Sequence, residues 1–281
     1  VLGFEKISVR ATKAPLFLGD GYEIVNFIKT EDRNMKLTLH QDLIEKNYRL
    51  WERKPILHKC YLEFHRLMAS YLSQLPDEKI VELGAGIGNI HETIPNCLRT
   101  DLFPYPWIDQ VENAYQLSFT KDSLSDLLLM DVFHHLRYPG TALEEFQRVL
   151  QPGGRIIMLE PGISALGYIV YGPLHTEPIG TAKQIQWSAP ESWSPDKIDY
   201  YAGQGNATRI FVQKYFASEL KDWKIIEVKR IAAFAYVASG GYSGPQLYPM
   251  FAYPFVKFLE KLMQPFPTLF ATRLLVVLEK K

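Results

Sequence analysis

The spacing of apolar residues changes character near residue 73. Leu57, Tyr61, Phe64, Met68 and Tyr71 recur at steps of three and four within 56–72, which puts them on one face of a helix. The SQLPD stretch at 73–77 breaks that period. KIVEL at 79–83 then reads as a buried strand, and a short helical pattern follows it as far as Pro95-Asn96. Strands are expected at 97–102, more weakly at 108–111, and at 126–132, where DLLLMDV is an almost unbroken apolar run. TALEEFQRVL predicts a helix with Pro139 in its first turn, where a missing N–H costs nothing, and Pro152-Gly153-Gly154 stops it before a strand at 155–159. Apolar strands alternating with helices in this way predict a mostly parallel sheet covered on both faces.

Beyond residue 160 the periodicity lapses. Residues 161–222 are rich in Gly, Pro, Tyr and Trp, WKIIEVKRI at 223–231 reads as a strand, and TRLLVVLE at 272–279 as the last one. Between them Phe255, Phe258, Leu259 and Leu262 form a helical stripe suited to packing on the sheet or against a second subunit, or to resting on a membrane surface. The expected organisation is an N-terminal helical cap at 1–75 and an α/β domain at 76–281. That domain would carry a substrate-lid insert at 161–222 and a helical insert at 243–271.

Composition narrows the partners. With Lys+Arg 31 and Asp+Glu 31 the formal net charge is +0, and no basic run offers a nucleic acid a track. Cys60 and Cys97 are too few for a disulfide framework, which suits a reducing compartment. VLGFEKISVR lacks the basic-then-apolar pattern of a secretory signal, and no apolar run is long enough to span a bilayer, so a cytoplasmic protein is expected. Oligomeric state is not readable from the chain.

The chemistry concentrates in VELGAGIGN at 81–89, three glycines at alternate positions directly after the first buried strand. In a parallel α/β sheet ligands settle beyond the carboxyl ends of the strands, and glycine at the first turn admits positive φ and close approach of a ligand to the backbone. A dinucleotide fingerprint would want G-x-G-x-x-G, but the third glycine falls at Gly88 and Asn89 takes the expected place.

The pattern Glu82-x-Gly84-x-Gly86-x-Gly88 instead resembles the first motif of class I S-adenosylmethionine-dependent methyltransferases. Further likenesses follow in order. Asp101 closes the second strand, VENAYQLSF at 111–119 resembles the adenine-contacting segment, LLLMDVFHHL the fourth motif, and VLQPGGRIIMLEP the family's Pro-Gly-Gly turn and fifth strand. The chain departs from the family at Asn113, where Asp is usual, and at Ser118, where Pro is usual. The resemblance implies a Rossmann-like three-layer α/β sandwich with a seven-stranded, mostly parallel sheet whose last strand is antiparallel. It implies S-adenosyl-L-methionine as cofactor and S-adenosyl-L-homocysteine as product. The cofactor would be held by Glu82, Gly84, Ala85, Gly86, Gly88, Asp101, Leu102, Asn113, Ala114 and Asp131, with Asp101 accepting the ribose hydroxyls. LHTEP, GNATRIF and SGGYS are similar to segments of poorly characterised bacterial methyltransferases often associated with cell-surface polysaccharide production.

Methyl transfer from a sulfonium asks the protein to align the nucleophile and exclude water, and a base helps when the nucleophile is a hydroxyl. His134 and His135 follow the strand that ends near the methyl and are the candidate bases; the bland alternative is that one only braces its loop. Tyr171, His175, Glu177 and Trp187 in the aromatic-rich insert are candidate substrate contacts, against the alternative of a small lid core. No CxxC or HExxH occurs, and adjacent histidines on a strand point to opposite sides, so no metal is expected from His134, His135, His175 and Glu177. The function expected is O-methylation of a small molecule or glycan-type acceptor. A non-catalytic adenosylmethionine-fold binding subunit, a lipid-directed methyltransferase with peripheral membrane contact, and a nicotinamide oxidoreductase are the rivals.

Overall fold

A computed structural model describes residues 33–281 apart from residue 176 and residues 197–199. The N-terminal readings on residues 1–32 lie outside the described residues. The elements in chain order are α1 (Arg33–Arg53), α2 (Pro55–Ala69), β1 (Ile80–Leu83), β2 (Leu98–Asp101), β3 (Gln110–Val111), β4 (Leu124–Met130), α3 (Pro139–Val149), β5 (Leu150–Pro161), α4 (Ala165–Tyr171), β6 (Trp223–Ile231), α5 (Phe234–Ala238), α6 (Tyr253–Met263), α7 (Pro267–Phe270) and β7 (Arg273–Lys280). The seven strands form one sheet in the order β3-β2-β1-β4-β5-β7-β6. Strands β1 to β5 run parallel, and β7 is antiparallel to both β5 and β6.

Residues of the same strand feed two different cores. Leu127 and Leu129 of β4 join Val81, Ile156, Met158, Leu274 and Val276 on the face covered by Ala142, Leu143 and Phe146 of α3. Leu128 joins Ile80, Ile157, Leu275 and Val277 on the face covered by Ile56, Cys60, Phe64 and Met68 of α2. Burial on both faces explains why the central strands carry no apolar/polar alternation. Because α2 shares this core with the sheet, it is a layer of the α/β sandwich rather than a cap set upon it.

Two local expectations change. The helical pattern after the glycines condenses to a single 3-10 turn, Asn89–Glu92, since Pro95 follows too soon for a full helix. The stripe on α6 does not pack on the sheet: Phe255, Phe258 and Leu262 are 61%, 56% and 56% exposed, while Tyr253, Val256 and Glu260 form the inward face. Among the described residues no helix is long and apolar enough to cross a membrane.

Asp126 sits within β4, fully buried, where the strand pattern alone would put an apolar residue. The turn after α2 supplies its partners: Ser73 donates from its backbone N at 2.9 Å and from its hydroxyl at 2.8 Å. The polar break at 73–77 therefore also ties α2 to the sheet. Ser73→Ala removes one hydrogen bond from a buried carboxyl group and should lower unfolding free energy by about 1–3 kcal/mol. Denaturant titration checks this, and a loss below about 0.5 kcal/mol would show that the hydroxyl is dispensable.

Candidate functional site

The carboxyl ends of β1 and β4 open onto a cavity of about 530 Å³, within the usual range for small-molecule sites. Its walls come from the glycine bend, the turn after β4, Leu174, His175 and Glu177, the 240–245 loop, and Leu43, Ile44 and Asn47 of α1.

The three glycines do three different jobs, although all have positive φ. A Cβ on Gly84 would lie 2.5 Å from a Val132 methyl, so Gly84 lets the β4 turn approach. A Cβ on Gly88 would crowd Trp107 and Arg99. A Cβ on Gly86 would meet nothing closer than Ile44, 3.9 Å away, so the space over Gly86 belongs to the cavity. The bend is pinned from behind: Gly86 N–H donates to Asp101 at 3.0 Å, and the Trp107 indole N–H donates to the Gly86 carbonyl at 2.7 Å.

Glu82 lines the same cavity with one carboxylate oxygen buried and without a hydrogen-bond partner. Burial, reinforced by repulsion from Asp101, pushes its pKa up to about 8. An unpartnered carboxyl oxygen beside an open glycine backbone is the acceptor that a ligand ammonium satisfies. These residues fit the methionine end of S-adenosylmethionine.

Beyond Met130 the chain turns sharply. Asp131 adopts positive φ, and its carboxylate pairs through both oxygens with the guanidinium of Arg273, Nη2 at 2.7 Å. Arg273 is almost wholly buried and lies over the rings of Tyr236 and Phe64. The next three amides, of Val132, Phe133 and His134, all donate to the fully buried Glu160 carboxylate, at 2.9, 2.8 and 3.2 Å. The same carboxylate takes the Nδ1 proton of His134 at 2.7 Å. His135 donates its Nδ1 proton to the Tyr201 carbonyl at 2.9 Å. Both Nε2 atoms thus face Glu177, at 3.5 Å from His134 and 3.7 Å from His135. Tyr200 O–H at 2.5 Å and Gln204 Nε2 at 2.9 Å donate to Glu177.

This geometry separates the two histidines. Burial opposes charge on His134, but Glu160 and Glu177 outweigh it and hold its pKa up at about 10, so His134 keeps its proton. Burial, with help from the adjacent His134 charge, lowers the pKa of His135. A carbonyl can only accept, so neutral His135 carries its lone pair on Nε2, turned to the cavity. Glu177 is held well below the usual carboxylate range by the two histidines and the Tyr200 hydroxyl, against the cost of its burial.

Several expected residues lie elsewhere. Glu82, Gly84, Ala85, Gly86 and Asp131 wall the cavity; Gly88, Asp101, Leu102, Asn113 and Ala114 do not. The Asp101 carboxylate accepts from the Gly86 and Phe103 amides, one on each oxygen. Asn113 is occupied at both ends, by the Tyr115 amide and the Pro195 carbonyl, and Ala114 packs on the main core. Tyr171, His175 and Glu177 do line the cavity. Trp187 stacks on Phe216 at 4.7 Å over Gly140 and does not line the cavity. The histidine pair lies on one 3-10 turn, Phe133–His135, with ring centroids 4.1 Å apart. The opposed directions of a strand therefore do not apply to it.

Glu160, Arg273, Gln204 and His65 went unnoticed in the sequence. Glu160 and Arg273 had a signal, each being a charge set at the end of an apolar run, in IIMLEP and TRLLVV. His65 had none; it occupies a core position of the α2 stripe.

His65 is 1% exposed, lines the cavity, and has no partner at either ring nitrogen. Burial lowers its pKa to about 4. The unfolded chain takes up this proton near pH 6.5 and the folded chain only near pH 4, so His65 costs stability progressively as pH falls through that window, by about 3 kcal/mol at most. His65→Phe should therefore gain stability relative to the parent as pH falls from 7 to 4.5, in paired denaturant titrations. A parent–variant difference that does not change with pH would contradict the assignment.

Comparisons with known proteins place this geometry. A family model described as a methyltransferase domain matches residues 81–158. No curated protein matches the chain. Among solved structures, the chain is similar to one from the complex of the Haloferax volcanii Trm112 methyltransferase activator with a methyltransferase, at 14% identity and TM-score 0.49, covering 85% of this chain and 95% of that one. It is also similar to an S-adenosylmethionine-dependent methyltransferase from Thermotoga maritima, at 14% identity and TM-score 0.48, covering 86% and 100%. A third likeness is to geranyl diphosphate C-methyltransferase from Streptomyces coelicolor, at 12% identity and TM-score 0.46, covering 78% and 77%. The matched segment runs from the first strand through the glycine bend to the fifth, the stretch whose motifs and cavity have just been described, and residues 81–158 match a methyltransferase domain.

Proposed function

We propose that the protein methylates an oxygen nucleophile on a small-molecule or glycan-type acceptor. The observation carrying this reading is that one cavity joins the open backbone of Gly86 and the free oxygen of Glu82 to the lone pair of His135. When bound, S-adenosylmethionine supplies a methyl group already activated by a sulfonium. Glu82 receives the cofactor's ammonium, and Gly84 to Gly86 give its chain room along the backbone. Asp101 acts as a positioning residue, fixing the amide of Gly86 from behind. The acceptor hydroxyl lies at the corner of His135 and Glu177, where the Nε2 lone pair makes its oxygen more nucleophilic. His134, already protonated, orients that corner. Leu43 and Ile44 of α1 and the 240–245 loop exclude water. A net charge of +0 argues against a nucleic-acid acceptor.

A second reading, a lipid-directed transferase, draws support from the rim. Leu174 and Leu247 both line the cavity and are both strongly exposed, and Phe251, Phe255 and Phe258 continue the apolar surface along the chain.

Gly86→Val should weaken S-adenosylhomocysteine binding at least tenfold by calorimetry, with an unchanged far-ultraviolet spectrum. His135→Ala should retain that binding while methyl transfer, followed with a labelled donor over an acceptor panel, falls by about 10²–10⁴-fold. Undiminished cofactor binding in the first variant, or undiminished transfer in the second, would contradict the reading. Co-sedimentation with liposomes that is abolished by Phe255→Ser/Phe258→Ser would favour the lipid-directed alternative; a protein that stays in the supernatant would remove it.

A further inference from the structure

Among the described residues, His134, His135 and Glu177 each bring one ligand-type atom to a common point, all within 4.8 Å of one another. We infer that this corner is a binding site for a first-row divalent cation, held by Nε2 of His134, Nε2 of His135 and the carboxylate of Glu177, the cation displacing the proton that His134 Nε2 carries in its absence. The inference rests on the methyl-transfer reading of the cavity and deepens it by assigning how the acceptor is activated: the His135 lone pair then acts through the cation it holds instead of directly on the hydroxyl.

The first argument is spacing. The Nε2···carboxylate separations of 3.5 and 3.7 Å are long for hydrogen bonds. They are close to the roughly 3.0–3.5 Å expected between neighbouring ligands that each stand about 2.1 Å from one cation. The second argument is orientation. A ligating imidazole characteristically donates its other N–H to a carboxylate or a backbone carbonyl, which fixes the ring and leaves the facing nitrogen free. Both cases occur side by side, His134 Nδ1 on Glu160 at 2.7 Å and His135 Nδ1 on the Tyr201 carbonyl at 2.9 Å. The third argument is the support of the carboxylate. Tyr200 and Gln204 each donate to a different oxygen of Glu177, as ligating carboxylates require. A histidine acting purely as a base needs one such ring and one orienting group. Two rings converging on one carboxylate, each with its own support, are what a cation needs.

Two imidazoles and one carboxylate on one side of a cation leave the remaining positions open toward the cavity, and the mixed donor set suits manganese, iron, cobalt or zinc better than magnesium or calcium. An acceptor hydroxyl bound at an open position loses its proton to solvent more readily. Its oxygen then forms the new O–C bond while the C–S bond breaks and that electron pair stays on sulfur, leaving a neutral thioether. An acceptor with two adjacent oxygens, such as a vicinal diol or an enediol, would chelate the cation and be favoured.

The test is a Co²⁺ titration of chelator-treated protein in the presence of S-adenosylhomocysteine, followed by visible d–d absorption. The expected result is one saturable equivalent per chain. In His135→Ala and Glu177→Gln the affinity should drop by at least 10–100-fold, with S-adenosylhomocysteine affinity unchanged. Absence of d–d bands, or variants binding Co²⁺ as tightly as the parent, would overturn the inference. Methyl transfer by metal-free protein at the undiminished rate would also overturn it while leaving the proposed transfer intact. Failure of the parent to bind S-adenosylhomocysteine would instead overturn the reading of the cavity on which it rests.

Discussion

The turn after the fourth strand is held by one buried carboxylate. Glu160 lies at the end of β5, fully removed from solvent, and gathers the amides of Val132, Phe133 and His134 together with the His134 ring. Hydrogen bonds to a charged group are worth about 1.5–3 kcal/mol each, but the larger consequence is geometric. Three successive amides directed at one acceptor force the chain out of extended form directly after Met130. That is why His134 and His135 lie side by side over the cavity. A buried carboxylate so placed is tolerable only because its partners satisfy it, and they in turn cannot relax without leaving it bare.

The bend after β1 and the turn after β4 depend on each other. Val132 fits against Gly84 only because position 84 has no side chain, and Gly86 is presented to the cavity because Asp101 and Trp107 restrain its two peptide groups. The Asp131–Arg273 pair closes the same corner from β7. A strand that enters the sheet antiparallel, between β5 and β6, thus delivers a cation to the end of β4. The glycine bend and the histidine corner are therefore set by one continuous set of contacts across β1, β4, β5 and β7.

Much of this was legible in the sequence because the physics was local. The doubly buried strands announced themselves as apolar runs, and the glycine spacing located the bend. What was not legible depended on partners distant in sequence. Asp101 stood where a ribose-binding acid stands, yet only the folded bend reveals that two amides already occupy it. Trp187 is a candidate stacking platform by sequence, but it packs against Phe216 and Gly140, both far away along the chain. The helical stripe on α6 was visible as a period, but periodicity does not say which side meets the sheet; Tyr253 and Val256 on the opposite side do. The two histidines were read as strand residues because the turn that rotates them is imposed from Glu160.

The most direct test of the account is a crystal structure with S-adenosylhomocysteine bound. The account predicts the ligand's ammonium on Glu82, its chain along Gly84 to Gly86, and its sulfur facing the corner of His135 and Glu177. A ligand lodged elsewhere, or a sulfur turned away from that corner with Glu82 still unpartnered, would contradict it.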